Sequence, residues 1–526
     1  MYQEKGILVS VLIFLIFRFC TCIDTITLTR PVNDGDILVS SGENFALGFF
    51  SPANSTNRYV GVWYNKVSEQ TVVWVANRDQ PITNSSGILS VDETGNLVLH
   101  EKDQGLVFWS TNVSGVVNDV SAQLLDSGNL VLFQGLVNKE VYLWQSFDHP
   151  SNTLLPDMKF GLDKKTGLNR VVTSWKSTGN PGVGDYSCKL EFVGSPQLFL
   201  FHGMTKVWRT GSWTGLRWSG IPEMDGKDLY NVTYTNNNDE VVIVYQMRNS
   251  TIFSRIVVTE SGTMDRLTWQ EADRKWVRFW SAPNDQCDGY NHCGPFGLCD
   301  PYRLGTFECD CLPGYEPRSP QNWYLRDGSK GCKIKPGTQM CKAETGSLRQ
   351  PILGLKACEG LCLGDCTCMG YASADISKGA EGEGCITWHG DIIDTRTFTD
   401  GGQSFYIRVD SDELAKNSSK RLQRSRTKQF LVIGMPMIVA GIFLCTFILC
   451  YIRKKPAKRD EAEVGFSFTN SLKSLKGSLT EKDIGENTDL HVFDLSTITI
   501  ATDSFSHSNR LGEGGFGTVY KVKLLI

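Results

Sequence analysis

Net charge is almost absent from this sequence. Lys and Arg number 53 and Asp and Glu 57, a balance of −4 over 526 residues, and no basic face stands out. A nucleic-acid partner is therefore not expected. Long amphipathic helical patterns are scarce before residue 430, where Trp, Val, Thr and Gly are plentiful instead, which points to β structure. No cluster of His, Asp and Ser between residues 150 and 283 suggests catalysis. Beyond Ile452 there is neither a cysteine nor an N-x-[ST] sequon. The length predicts three or four domains.

The last two absences are one-sided. N-glycosylation sequons stand at Asn54, Asn84, Asn112, Asn231, Asn249 and Asn417, and thirteen cysteines lie from Cys188 to Cys385. Both patterns suit an exported region with disulfides. What divides the chain is the uncharged run 430–452, FLVIGMPMIVAGIFLCTFILCYI. As a helix it would extend roughly 34 Å, enough to cross a bilayer core, and a transmembrane helix tolerates Pro436. The basic flanks nearly balance, with Lys416, Lys420, Arg421, Arg424, Arg426 and Lys428 before it and Arg453, Lys454, Lys455, Lys458 and Arg459 after it. The positive-inside rule therefore does not orient it. Residues 1–22 carry Lys5, an apolar run from 7 to 17, and Cys20-Thr21-Cys22, the pattern of a signal peptide. The expected topology is single-pass, type I, at the plasma membrane, with the N-terminus outside.

Residues 24–150 alternate short apolar runs with turns: FALGFF, YVGVWY, TVVWVANRD, FWSTNVS. Gly95-Asn96-Leu97-Val98-Leu99 recurs 33 residues on as Gly128-Asn129-Leu130-Val131-Leu132, the mark of a repeated unit. Gly and Asn both accept φ > 0 on entering a strand. This region resembles the bulb-type (monocot mannose-binding) lectin, a three-fold β-prism. The resemblance implies a sugar site of the form Q-x-D-x-N-x-V-x-Y. The first copy presents Asp92, Thr94, Asn96, Val98 and His100, and the second Leu125, Ser127, Asn129, Val131 and Phe133. Asn96, Val98, Asn129 and Val131 keep the pattern, whereas Thr94 and Ser127 replace its Asp. Mannose binding is expected to be weak or absent in these two grooves.

Residues 151–283 hold many tryptophans among Gly and Pro turns, read as core and strand packing. GDYS, WRTGSW and FWSAP fall in the order of an S-locus glycoprotein domain, which this segment resembles. Cys188, in GDYSCKLE, makes the lumenal cysteine count odd, so it is either a free thiol or a bridge to a second chain.

Two six-cysteine groups follow. Cys287, Cys293, Cys299, Cys309, Cys311 and Cys332, within residues 284–333, cannot surround a sizeable core, so disulfides must supply stability. Their spacing leaves fifteen pairings open. It resembles an EGF-like module, which implies Cys287–Cys299, Cys293–Cys309 and Cys311–Cys332. No calcium ligand set precedes Cys287. Cys341, Cys358, Cys362, Cys366, Cys368 and Cys385, within residues 341–410, also admit a zinc reading, although an oxidising compartment favours disulfides. ACEGLCLGDCTCMGYASAD and FYIRV resemble a PAN/apple domain, which implies Cys341–Cys366, Cys358–Cys385 and Cys362–Cys368. The stretch between Cys341 and Cys358 is shorter than that family's usual strand-bearing segment. No metal is expected.

Residues 453–489 read as a polar juxtamembrane linker. Residues 490–526 contain Gly512-Glu513-Gly514-Gly515-Phe516-Gly517-Thr518-Val519, a complete G-x-G-x-x-G-x-V. The β-prone Thr518-Val519-Tyr520 after it favours a loop between two strands, as in protein kinases, over a dinucleotide fold. With the upstream FDLSTITIATDSFS, the chain resembles plant S-domain (G-type lectin) receptor-like serine/threonine kinases. The resemblance makes Leu511, Gly512, Gly514, Gly517 and Val519 the ATP loop, with ATP and Mg²⁺ as cofactors of a full-length relative. The strand lysine, its Glu partner, H-R-D and D-F-G are not in the sequence, and VKLLI departs from the family after VYK. The chain as written is expected to have no kinase activity and no cofactor, as a kinase truncated just after its glycine-rich loop.

Three readings stay open. One is a cell-surface receptor-like protein for a carbohydrate, peptide or glycoprotein, able to dimerise with itself or with a full-length receptor kinase. Another is an active receptor kinase whose sequence was cut short by the transcript or gene prediction. The third is an adhesive glycoprotein without signalling. The fold class expected throughout is a mainly β ectodomain of lectin prism, S-locus domain and two disulfide modules, then one transmembrane helix and an incomplete kinase N-lobe.

Overall fold

The structure, a computed structural model, describes residues 24–415 except 54, 103–104, 136–140, 193, 225–228, 304, 339–353, 378–381 and 400, and beyond these Thr446, 510–514 and 517–520. The signal peptide, the linker, the short stretch after Cys341 and, Thr446 aside, the run 430–452 lie outside the described residues. Among the described residues no helix is long and apolar enough to cross a membrane. The chain divides into Met1–Phe430 and Leu431–Ile526.

The first unit is mainly β. Its opening part is three four-stranded antiparallel sheets. One is Ile37–Val39, Phe45–Phe50, Tyr59–Tyr64 and Val72–Val75. The second is Val32–Asn33, Gly87–Val91, Leu97–Glu101 and Val107–Ser110. The third is Thr25–Ile26, Val120–Leu124, Leu130–Gln134 and Trp144–Gln145. Strand alternation sends Leu89, Leu99, Ala122, Leu124, Leu130 and Leu132 into one shared core, each at most 1% exposed. Each leucine so buried contributes about 1.5–3 kcal/mol.

The fourth strand of each sheet contributes one tryptophan to a common cluster. Trp74, Trp109 and Trp144 recur every 35 residues. They meet edge to face, with centroids 5.8, 5.9 and 5.5 Å apart. Edge-to-face packing satisfies the ring quadrupoles.

Three more antiparallel sheets follow. They are Val172–Ser177 with Asn180–Glu191, Gln197–His202 and Thr205–Arg209; Phe160–Asp163 with Glu240–Met247 and Tyr230–Asn236; and Thr153–Leu154 with Ser254–Val258, Met264–Gln270 and Lys275–Ala282. This second three-sheet body is locked to the first. Arg78 donates to the carbonyls of Pro181 at 2.7 Å, Thr173 at 3.0 Å and Ser174 at 2.6 Å. Burial lowers its pKa to about 10. Tyr64, 2% exposed, donates to the Ser254 carbonyl at 3.0 Å, and Trp276 to Thr71 at 2.8 Å.

The described residues of the cysteine-rich part form short strands and the helices Pro320–Tyr324, capped by Ser319, and Leu355–Gly364. Its halves are joined. Gly297–Cys299 pairs in parallel with Thr395–Arg396, and Phe296, Leu312, Tyr315 and Ile392 share one core. In the second unit, Arg510–Gly514 pairs antiparallel with Gly517–Tyr520.

Candidate functional site

The two Gly-Asn turns lie at corresponding places in the second and third sheets. Gly95 and Gly128 both adopt φ +85°. A Cβ on Gly128 would stand 2.8 Å from Leu155 and 2.9 Å from Phe45. Glycine is needed for the turn and for the space.

The asparagines that follow are engaged within the protein through both their carbonyl and their amide groups. The side-chain carbonyl of Asn96 accepts from the Thr111 hydroxyl at 3.0 Å and the Val113 amide at 2.6 Å, while its amide donates to Thr94 at 3.0 Å. Asn129 accepts from Ser146 at 3.1 Å and the Phe147 amide at 3.2 Å, and donates to Gln145 at 2.9 Å. Asp92 accepts from the amides of Thr94 and Asn96, both at 2.9 Å. Val98 and Val131 are buried, and His100 contacts Ser90 at 3.1 Å. The candidate sugar residues therefore hold turns and the return of the fourth strand. A polar atom already bonded gains little by exchanging that partner for a sugar hydroxyl.

The corresponding bond in the first sheet comes from a different residue. A buried amide at the start of each third strand is held by a side chain just past the fourth. Leu97 donates to Thr111 at 3.1 Å, Leu130 to Ser146 at 2.9 Å, and Val60 to Asn77 at 2.9 Å. Sequence reasoning missed this third copy because no Gly-Asn precedes Val60. The 35-residue tryptophan spacing would have revealed it.

Asn84, Asn112, Asn231 and Asn249 are exposed, as N-glycosylation requires, whereas Asn54 and Asn417 lie outside the described residues. Cys188 is a free thiol with 0% exposure, and burial pushes its pKa up to about 12. The disulfides are Cys287–Cys299, Cys293–Cys309, Cys311–Cys332, Cys358–Cys385 and Cys362–Cys368. Cys366 is disulfide-bonded too, and Cys341 lies outside the described residues. Ligand atoms of His292, Cys293, Cys299 and Cys309 gather within 4.8 Å of one another, but these three sulfurs are in bridges and offer no thiolate to a metal.

A charged seam joins the second three-sheet body to the cysteine-rich part. Arg209 pairs with Asp394 at 2.7 Å and donates to the Ile393 carbonyl at 2.9 Å. Burial raises the Asp394 pKa against the pull of Arg209. Within the cysteine-rich part, Arg396 pairs with Asp285 at 2.8 Å and with Asp288. In the glycine-rich hairpin, the backbone sets Gly512 opposite Val519 and Gly514 opposite Gly517, and Leu511 lies on the first strand.

The family model described as D-mannose binding lectin matches residues 71–176, S-locus glycoprotein domain 208–319, and PAN-like domain 329–395. S-locus-specific glycoprotein S6 of Brassica oleracea is 40% identical, over 75% of this chain and 94% of its own. A G-type lectin S-receptor-like serine/threonine-protein kinase of Arabidopsis thaliana is 42% identical, over 97% of this chain and 63% of its own. RKS1, another such kinase from that plant, gives the same three figures: 42%, 97% and 63%. The chain thus spans 63% of the length of these two kinases. Among solved structures, a monomeric monocot mannose-binding lectin from Gastrodia elata aligns with 23% of this chain and 96% of its own, at 17% identity and a TM-score of 0.18. With three domains matched in order and a relative matched almost end to end, the chain belongs to the G-type lectin S-receptor-like kinase family.

Proposed function

We propose that residues 24–415 are the extracellular recognition region of a single-pass, type I plasma-membrane receptor-like glycoprotein. Residues 430–452 are its membrane span, and 453–489 link that span to the glycine-rich hairpin of a kinase small lobe. The observation that carries this is the disulfide set between Cys287 and Cys385, because such bridges persist only where thiols are oxidised. The one-sided sequons point the same way.

The ligand is an extracellular carbohydrate, peptide or glycoprotein. The bonded state of Asn96 and Asn129 argues for a broad protein or glycoprotein contact rather than mannose in the two grooves. Signalling passes through dimerisation, with itself or with a full-length receptor kinase. ATP and Mg²⁺ belong to a complete kinase domain, since phosphoryl transfer depends on positioning groups beyond the loop.

The test is an epitope tag placed before Thr25, with the chain expressed in plant cells. Antibody should reach the tag on intact cells, and glycosidase should increase gel mobility. A tag reached only after permeabilisation, with no mobility shift, would sink the reading.

A further inference from the structure

The second three-sheet body encloses a cavity of about 90 Å³. Its walls include Phe160, Trp218, Tyr230, Tyr245 and Trp280. Into this apolar wall the strand Met264–Gln270 places Arg266, which is 4% exposed. The guanidinium carbon lies 3.3 Å from the centroid of Tyr230 and 5.4 Å from that of Tyr245. Nη2 donates to the Met247 thioether at 3.7 Å, a weak acceptor. Nε has no hydrogen-bond partner among the described residues. Burial lowers the Arg266 pKa, and the groups that oppose this shift are Tyr230, which also shares a side-chain hydrogen bond with the guanidinium, and Tyr245; none is a carboxylate.

A guanidinium keeps its charge at any physiological pH, and burying it without a counter-charge is costly. Stacking on a ring returns only about 0.5–2 kcal/mol. The missing partner is an anion, and the surrounding walls suit an aromatic body.

We propose that this cavity binds a single-ring aromatic monocarboxylate. Its carboxylate accepts from Nε and the adjacent Nη of Arg266, in the bidentate geometry that guanidinium favours, once the buried Nε edge turns toward the cavity. Its ring lies among Phe160, Trp218 and Trp280. An apolar cavity of about 150 Å³ holds benzene. This smaller one is lined by the flexible side chains of Met158, Met224 and Met264, which must shift to admit the ring. A long acyl chain does not fit. Exposed Glu223 at the rim repels a second negative charge, which selects a monoanion.

The probe is benzoate, titrated into the purified glycosylated chain and followed by tryptophan fluorescence, since Trp218 and Trp280 border the cavity. Saturable quenching with a Kd below about 1 mM is expected. Benzamide, the neutral isostere, should bind at least about tenfold more weakly, as should benzoate to Arg266→Gln. Ile243→Phe keeps the guanidinium and fills the cavity, so it tests the site even if Arg266→Gln does not fold, and it should abolish the quenching. Benzamide as tight as benzoate, an unchanged Kd in Ile243→Phe, or no saturation below about 10 mM would overturn the assignment.

Discussion

Arg78 donates to the Ser174 carbonyl at 2.6 Å, and with that bond the two three-sheet bodies are held as one. Arg78→Met keeps much of the side-chain bulk but leaves the carbonyls of Thr173, Ser174 and Pro181 without their donor. Each buried acceptor left bare costs about 1–3 kcal/mol. The expected result is a lower melting temperature and early protease cleavage between the two bodies. A variant that melts within about 1 °C of the parent would show that the packing of Tyr64 and Trp276 suffices.

The tryptophan cluster should be the keystone of the first body. Trp74 is 6% exposed and touches both Trp109 and Trp144, so Trp74→Ala removes two edge contacts at once. The expected loss is about 3–5 kcal/mol, with collapse of the near-ultraviolet dichroism. Trp74→Phe should retain most of that signal.

His149 gives the first body a mild acid sensitivity. Its ring stacks on Trp144 at 5.5 Å, and burial, helped by Arg170, lowers its pKa below the usual 6.5 against the opposing pull of Asp148. The unfolded chain therefore binds a proton before the folded one does. The stability tied to the neutral ring is full above about pH 6.5 and falls as pH drops toward the folded pKa. His149 is an exposed residue, so solvent screening should keep the change below about 1 kcal/mol. His149→Phe should flatten the difference in melting temperature between pH 7.5 and 5.5. An identical pH slope in the two proteins would refute this.

Cys188 should resist alkylation. It is fully buried in the strand Asn180–Glu191, opposite Val172 and Leu200, and its thiol is pushed up to about 12. Iodoacetamide at pH 8 should leave it unmodified in the native chain and label it in urea. Cys188→Ser, which buries a hydroxyl among apolar neighbours, should cost about 1–3 kcal/mol, more than Cys188→Ala. Rapid native labelling, or a disulfide-linked dimer, would contradict the burial.

Local features were legible in the sequence, and long-range partnerships were not. Gly95 and Gly128 were readable because a turn into a strand needs φ > 0, which glycine accepts at little cost. The predominance of β structure was readable from short apolar runs between turns. Asn96 and Asn129 looked like remnants of a sugar site, since sequence does not show that Thr111 and Ser146 come back to meet them. The first sheet hid its share of the repeat because Asn77, 17 residues past Val60, does the work of Thr111 and Ser146. Arg266 reads as an ordinary strand arginine between Asp265 and Leu267, and only the fold turns it inward over Tyr230. The parallel pairing of Leu298 with Thr395 joins residues 97 apart, beyond the reach of any local pattern.

The strand Thr25–Ile26 completes the third sheet by pairing with Gln123 and Ala122. It is the earliest described segment to leave the ribosome, and its partner follows almost a hundred residues later. At about 5–20 residues per second, that order leaves an unpaired edge exposed for roughly 5–20 s during synthesis. An open edge of this kind readily pairs with the wrong chain. Early folding of this protein is therefore a matter of timing: the third sheet gains its outer strand only after Ala122 and Gln123 have been made.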